Sequence, residues 1–550
     1  MSQISIKELL RRLINKQVNI QLVDDQLRVY LQDSEDSDLI DLIKENKADL
    51  ISFIRQHSLT NQLVNRGNAK EGYDLSHKET GKYHLGQLLS KTLAPEIDRE
   101  IGGLNMAQFI RFDALDEPRF HQALRTLVGR HDLLRARFEK IDGVVRKIIE
   151  PLERFEFKVE IIDFSEIIDS SKELEIAVPK LVEASFDFSQ PLWRAKLFRL
   201  HDGYQFCFVI NHMIADMFSL HTLKTDFIEL YHKGNDANLH PIELSARFIS
   251  AWEKSLQEGA NGAVTKAYWQ SKLKGQLPTF LLKEWYQDPD QVHIPRGYWE
   301  HIKYEANIYY RDVTEEELRP LKGYMHRIST HDGSLYRVIL RGADYEKIEK
   351  FTRKSSVSNL IMAALYLVLQ QISRSNDLII GFEKSLKELK FQDTTGWLSN
   401  TLLVRLTLSE DMTLHELMLL VKDTLMESFK YQTYPFDKVL EAQDISVDAI
   451  GGLSFNMERI ESTDISLNLK EGKVNDIRPS YFDIDCFTGV YGNGLVFLLR
   501  YKTHLFDENQ MEHFGQLINK TLLLLVERPE AQVSEISDYL SKGALISKAV

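Results

Sequence analysis

Residues 206–219 read Phe206-Cys207-Phe208-Val209-Ile210-Asn211-His212-Met213-Ile214-Ala215-Asp216-Met217-Phe218-Ser219. The apolar run before Asn211 predicts a short buried strand. His212 is delivered at its end, Asp216 follows, and a helix-like pattern begins. An imidazole in that place suits acid–base work, because its ordinary pKa lies near neutrality. His212, Asp216 and His221 also admit a metal reading, but their spacing fits no common metal motif. A histidine on an apolar strand is by default a satisfied core residue, so the segment alone leaves packing and catalysis both open.

Working outward, the chain has 550 residues, 43% hydrophobic and 27% charged, which is ordinary for two or three compact globular units. A net charge of −13 argues against a nucleic-acid backbone or an anionic membrane as the main partner. The two cysteines, Cys207 and Cys486, lie in apolar-aromatic surroundings and read as buried free thiols in a reducing compartment. Lys7, Glu8, Arg11 and Arg12 interrupt any signal-peptide core, and no stretch approaches the roughly 20 apolar residues of a membrane span. A cytoplasmic location is expected.

At the N-terminus, Ser5-Ile6-Lys7-Glu8 forms a capping-box pattern, continued by Leu9, Leu10, Leu13 and Ile14 at helical spacing. Val18, Ile20 and Leu22 alternate with polar residues, Asp24-Asp25 marks a turn, and Leu27, Val29 and Leu31 alternate again, which is a β-hairpin. A second helix places Leu39, Ile43, Leu50 and Ile54 on one face behind an acidic lead-in of Asp36, Asp38 and Asp41. Residues 58–72 are polar and aperiodic and read as a linker. From Tyr73 onward strands and helices interleave, including helices over 117–128 and 512–526 and strands over 376–381 and 495–501. His331-Asp332-Gly333-Ser334-Leu335 reads as a hairpin turn with strand-like flanks, in preference to a carrier protein's phosphopantetheine serine. No Gly-rich phosphate loop or clustered Cys/His zinc pattern is present.

Several stretches resemble, in order, the motifs of nonribosomal peptide synthetase condensation domains. The opening stretch is similar to the family's H-H-x-x-x-D-G, with Asn211 for the first histidine and Met217 for the glycine. Leu75-Ser76 begins a weak first motif lacking the usual glutamine and tryptophan. Arg130-His131-Asp132-Leu133-Leu134-Arg135-Ala136-Arg137-Phe138 follows R-H-E-x-L-R-T-x-F. Phe248 to Trp252 and Tyr268-Trp269 resemble the tryptophan-bearing stretch, although these aromatics also suit a core. Gly396-Trp397-Leu398-Ser399-Asn400-Thr401-Leu402-Leu403-Val404-Arg405 resembles G-x-x-V-N-T-x-x-x-R, and Tyr434-Pro435-Phe436-Asp437 matches Y-P-F-E. The final motif survives at most as Ser454-Phe455-Asn456. Residues 1–57 are in turn similar to the β-hairpin docking domains of hybrid polyketide–peptide synthases, on Glu8-Leu9-Leu10, the hairpin and Lys47-Ala48-Asp49-Leu50.

The resemblance implies an α/β fold of two chloramphenicol acetyltransferase-like lobes, 73–240 and 241–550, set in a V, with a tunnel to His212. It further implies a small α-β-β-α docking domain over 1–57, which would capture an upstream carrier protein or synthase tail by strand addition at Arg28, Val29 and Tyr30. A helical cap packed on the main body is the alternative for that segment. His212 would serve as the catalytic imidazole, and Asp216 would shape its loop through an ion pair with a basic side chain. Asn211 is a tolerable change, whereas Met217 denies the backbone freedom of glycine and narrows or refills the site. Arg130, His131, Arg135, Asn400 and Thr401 would be structural. No metal and no covalently bound cofactor are expected; phosphopantetheine arms would arrive on partner carrier proteins. The implied activity is a free-standing condensation enzyme transferring a carrier-bound acyl thioester to an amine, less readily a hydroxyl, on an acceptor carrier or a soluble molecule. The rivals are a degenerate binding module that recruits partners or passes intermediates, and an acyltransferase using small CoA thioesters.

Overall fold

A computed structural model describes residues 9, 19–23, 26–30, 37–56, 72–81, 83, 105–167, 169–240, 242, 245–258, 260–278, 281–282, 285–287, 333–353, 355–387, 391, 393–443, 452–457, 472–474, 482–491, 494–503 and 505–536. These form two compact units. The first takes the described residues up to Val264 together with those of Ser385–Ser399. The second takes those of Thr265–Asn307, Thr314–Lys384 and Asn400–Val550. Within the first unit Trp252 packs edge-on against Phe391, their ring centroids 5.1 Å apart.

In the N-terminal segment, strands β1 (Asn19–Val23) and β2 (Gln26–Tyr30) pair antiparallel, with Val23 opposite Gln26 across the Asp24-Asp25 position. The first expected helix lies outside the described residues except for Leu9. The single second helix expected from the sequence is instead two, α1 (Ser37–Glu45) and α2 (Lys47–Gln56). Asn46 separates them, and its side-chain amide turns back to donate to the Leu42 carbonyl at 2.9 Å, the local competition with the helix ladder that asparagine favours.

The body of the first unit begins at Gly72, whose φ of +73° suits glycine and whose added Cβ would stand 2.5 Å from Ile148 Cδ1. It continues with β3 (Asn105–Phe112), α3 (Glu117–Arg130), the hairpin β4 (Ala136–Ile141) and β5 (Val144–Ile149), β6 (Glu160–Asp163), α4 (Ser170–Glu183), β7 (Trp193–Leu200), β8 (Gly203–Asn211), α5 (Met217–Lys233) and α6 (Ile249–Glu258). A four-stranded sheet runs in the order β3-β8-β7-β6, so the histidine-bearing strand is central. Strand side chains alternate between faces. Phe206, Phe208 and Ile210 of β8 therefore enter one core with Phe120 and Leu124 of α3 and Leu220 and Phe227 of α5. Cys207 and Val209 point the other way into a smaller core against Leu181 of α4. Burial on both faces explains why the run is continuously apolar. Each fully buried Phe or Leu contributes about 1.5–3 kcal/mol. Burial also pushes the Cys207 thiol up to about 12, so it is an inert packing residue.

After α7 (Ala260–Lys272), the second unit contains β9 (Gly333–Arg341), α8 (Gly342–Thr352), α9 (Val357–Ser373), β10 (Asp377–Ser385), β11 (Ser399–Thr407), α10 (Leu414–Lys430), α11 (Phe436–Gln443), β12 (Leu453–Met457), β13 (Gly472–Val474), β14 (Ile484–Tyr491), β15 (Gly494–Lys502) and α12 (Glu508–Glu527). Its seven-stranded sheet is ordered β11-β10-β12-β14-β15-β9-β13. Strands β10, β12 and β14 are parallel neighbours, while β14, β15, β9 and β13 pair antiparallel. Ser334 sits buried in β9 opposite Tyr501, a strand residue with no room for a prosthetic arm. Of the expected Asp332-Gly333 turn, Asp332 lies outside the described residues and Gly333 is the first residue of β9. Among the described residues no single helix is long and apolar enough to cross a membrane. The apolar α9 is instead buried in the second unit's core.

Candidate functional site

His212 emerges directly from β8 into a turn, partly buried. Two neighbours in sequence fix its backbone. Asn211 is buried and opposite Asn105 at the end of the β3–β8 ladder. Its amide donates to Asn105 Oδ1 at 3.0 Å, and its own oxygen accepts the Met213 N–H at 2.9 Å. Asn105 in turn donates to the Val182 and Ala184 carbonyls, both at 2.8 Å, at the end of α4. Every polar atom of the Asn211 side chain is thus spent on holding the loop.

Asp216 closes the loop as the N-cap of α5. Its carboxylate accepts the Ser219 N–H and hydroxyl, both at 2.8 Å, and Ser219 Oγ accepts the Asp216 N–H in return. The other oxygen accepts the Leu398 N–H at 3.0 Å. Lys387 Nζ lies 3.3 Å from Asp216 Oδ1 and donates to Ser219 Oγ at 2.8 Å. Burial raises the Asp216 pKa, but the Lys387 ammonium and these donors outweigh it and hold the carboxyl below its usual value. Lys387 is therefore the basic partner expected for Asp216.

Ser219 Oγ also lies 3.1 Å from the Gly396 nitrogen and 3.0 Å from the Gly396 carbonyl oxygen. Gly396 has φ +151°, and an added Cβ would stand 2.7 Å from Ile249 Cδ1, so glycine is required there. Pinned between Gly396 and Leu398, Trp397 lays its ring against the His212 imidazole, with centroids 4.3 Å apart and planes at 47°. Its indole N–H donates to Ser399 Oγ at 2.9 Å, and Lys78 Nζ stands 5.0 Å from its ring centroid.

Met217 follows the cap. It is the first residue of α5, in ordinary helical conformation and 42% exposed. Asp216, the N-cap before it, has an extended backbone.

The Arg130–Arg135 stretch braces the first unit. Arg130 Nε donates to Asp226 Oδ2 of α5 at 2.6 Å, and His131 Nε2 lies 3.0 Å from the same oxygen. Burial outweighs Asp226 and keeps the His131 imidazole below its ordinary pKa, hence neutral at pH 7. Arg135 ties the end of α3 to β5, donating to the Val128 carbonyl at 3.0 Å and the Glu150 carbonyl at 2.5 Å. In the second unit Asn400 donates to the Gln432 and Tyr434 carbonyls at 2.9 and 2.8 Å and accepts the Phe436 N–H at 3.1 Å, which locks two motifs together. Thr401 hydrogen-bonds Glu383. Trp252 and Trp269 are buried core residues. The backbones of Arg28, Val29 and Tyr30 lie in β2. Among the described residues no three His, Cys, Asp or Glu side chains are grouped to hold a metal ion.

Sequence reasoning passed over Lys387, Ser219, Lys78 and the site role of Trp397. Ser219 and Trp397 lay within quoted stretches; Lys387 and Lys78 are brought to the site by folding alone.

The family model of the condensation domain matches residues 104–543. Bacitracin synthase 3 of Bacillus licheniformis is 25% identical over 485 residues, which are 86% of this chain and 7% of that protein, so the chain spans under a tenth of that relative's length. The X-domain from teicoplanin biosynthesis superposes with a TM-score of 0.64 at 17% identity, covering 86% of this chain and 98% of that one. A structure described as the molecular basis for condensation domain-mediated chain release from the enacyloxin polyketide synthase gives a TM-score of 0.60 at 14% identity, covering 96% of this chain and 97% of its own.

Proposed function

The chain belongs to the condensation domain family, whose mixed α/β fold it shares, and from that premise we propose that it acts as a condensation enzyme of a nonribosomal peptide or hybrid polyketide–peptide pathway. It transfers an acyl group from a carrier-protein thioester to an amine, and less readily to a hydroxyl. The donor's thioester hangs from the carrier's phosphopantetheine arm and is treated as substrate.

The observation that carries this reading is His212 presented at the end of a buried strand, with its backbone held by Asn211 and Asp216. The amine nitrogen attacks the thioester carbonyl, the C–N bond forms, and the C–S bond breaks as thiolate leaves. The nitrogen must lose a proton and the thiolate must gain one. A neutral imidazole can take the first and return it to the second, which supports acid–base work of about 10²–10⁴-fold. Holding both substrates in line supplies several kcal/mol more.

Residues 1–57 serve in this proposal as the docking segment. What supports it is the β1–β2 hairpin, whose outer edges have no further strand among the described residues and could accept one from a partner. The second reading, a module that binds carriers without turnover, draws on Asn211 and Met217 replacing the motif's histidine and glycine.

The test loads a donor carrier with an acyl chain, adds candidate amine and alcohol acceptors, and follows products by intact mass for wild type and His212→Ala. The enzyme reading expects product from wild type and a loss of about 10²-fold or more in the variant. Equal product from both proteins overturns it. Carrier binding with no product from any acceptor establishes the binding module in its place.

A further inference from the structure

We propose that Trp397 is a positioning residue for His212, and that Lys78 holds Trp397 in its place. The inference rests on the reading of His212 as the catalytic imidazole. The hydrogen bonds of Asn211 and Asp216 fix the loop backbone, yet a histidine side chain still has two rotatable torsions. Trp397, with its centroid 4.3 Å from that of the imidazole, is the aromatic surface that restricts them.

Trp397 is suited to the task because it is itself immobilised from three directions. Its preceding glycine donates its main-chain N–H to Ser219 Oγ at 3.1 Å. Its following residue donates to Asp216. Its indole N–H is held by Ser399 Oγ at 2.9 Å. The same Asp216 and Ser219 end the loop that carries His212, so imidazole and indole share one anchor.

Lys78 adds the remaining constraint. Its ammonium stands 5.0 Å from the indole centroid, within cation–π range, and it donates to the Ser399 carbonyl. The short segment bearing Lys78 is fixed to the body. Tyr73 exchanges main-chain hydrogen bonds of 2.8 Å with Lys147, and Glu79 pairs with Lys147 Nζ at 2.7 and 2.9 Å, both side chains almost fully buried. Three distant stretches, 76–79, 211–219 and 385–399, thereby meet at one ring within the first unit.

A ring that merely filled space would affect stability, whereas a positioning ring affects turnover. The experiment uses the full chain with an acyl-loaded carrier and varies the acceptor concentration. Wild type, His212→Ala, Trp397→Ala, Trp397→Phe and Lys78→Met are compared for kcat, KM and thermal unfolding. Expected are a fall in kcat of about 10- to 100-fold for Trp397→Ala with acceptor KM within about twofold, and recovery to within about threefold of wild type in Trp397→Phe. Lys78→Met lowers kcat about three- to tenfold with an unchanged melting temperature. If His212→Ala is inactive while Trp397→Ala and Lys78→Met both turn over at the wild-type rate, the inference is overturned and the catalytic reading stands. Should Trp397→Ala fail to fold, full activity in Lys78→Met alone overturns the part assigned to the cation, and a Trp397→Phe kcat as low as that of His212→Ala overturns the part assigned to the ring. Wild-type activity in His212→Ala instead removes the catalytic reading and the inference with it.

Discussion

At the scale of single residues, Asn211 does structural work with one planar amide, donating to Asn105 and accepting from Met213. Asn211→Ala leaves those buried partners unsatisfied, and a loss of about 1–3 kcal/mol in urea unfolding is expected. An unchanged midpoint would show that the loop is held otherwise. Met217→Gly, at an exposed first-turn position, should cost only about 1 kcal/mol, the helix penalty of glycine. Glu253 is a different case. Its carboxylate accepts the His77 N–H at 2.9 Å, and burial, with Glu79 adding repulsion, raises its pKa to about 7 against the helping pull of that N–H, Lys78 and Lys147. A carboxyl whose folded pKa exceeds its unfolded value binds more protons when folded, so stability falls as pH rises from about 4.5 to about 7. The penalty is complete above that window and amounts to up to about 3 kcal/mol. Glu253→Gln keeps an acceptor for His77 without the charge. It should therefore melt higher than wild type at pH 8 and not at pH 4; equal shifts at both values would contradict the assignment.

At the scale of elements, the N-terminus of α5 is where strand, loop and a remote segment are joined. Asp216→Ala removes the cap and strands the Lys387 ammonium in a buried site, for which about 3–5 kcal/mol is expected. Adding Lys387→Met should return much of that loss, because the uncompensated charge is gone; a double variant as unstable as the single one would sink this account. Since Asp216 titrates below its ordinary value of 3.8, its contribution is complete above that pH and fades only as pH drops through the lower folded pKa. The β8–loop–α5 element was legible beforehand, because a continuous apolar run, a polar break and a capping residue are local patterns. The helix break at Asn46 was not, since Leu39, Ile43, Leu50 and Ile54 keep one face on either side of it. Lys387 escaped notice for another reason: it is 171 positions from Asp216, and no periodicity marks which lysine will be buried.

At the scale of the whole molecule, chain order and packing part company. The sequence leaves the second unit after Lys384, lends Ser385–Ser399 to the first, and returns at Asn400. The described N-terminal residues group with the first unit, and among the described residues the Tyr73–Lys147 backbone pair and the buried Glu79–Lys147 ion pair anchor the chain to the body from Gly72 onward. Deleting residues 1–57 should accordingly leave the body folded, with a melting temperature within about 4 °C of the full chain, equivalent to a change of about 1–2 kcal/mol for a large domain. The docking proposal adds that transfer from the cognate upstream carrier weakens at low carrier concentration, where association limits the rate, and recovers when carrier is in excess. Acyl transfer from a carrier lacking its docking tail should be equal for the two proteins. Unchanged transfer from the cognate carrier at low concentration would leave residues 1–57 as a cap on the body, and a collapse in melting temperature would show that the anchors at Gly72 are not sufficient alone.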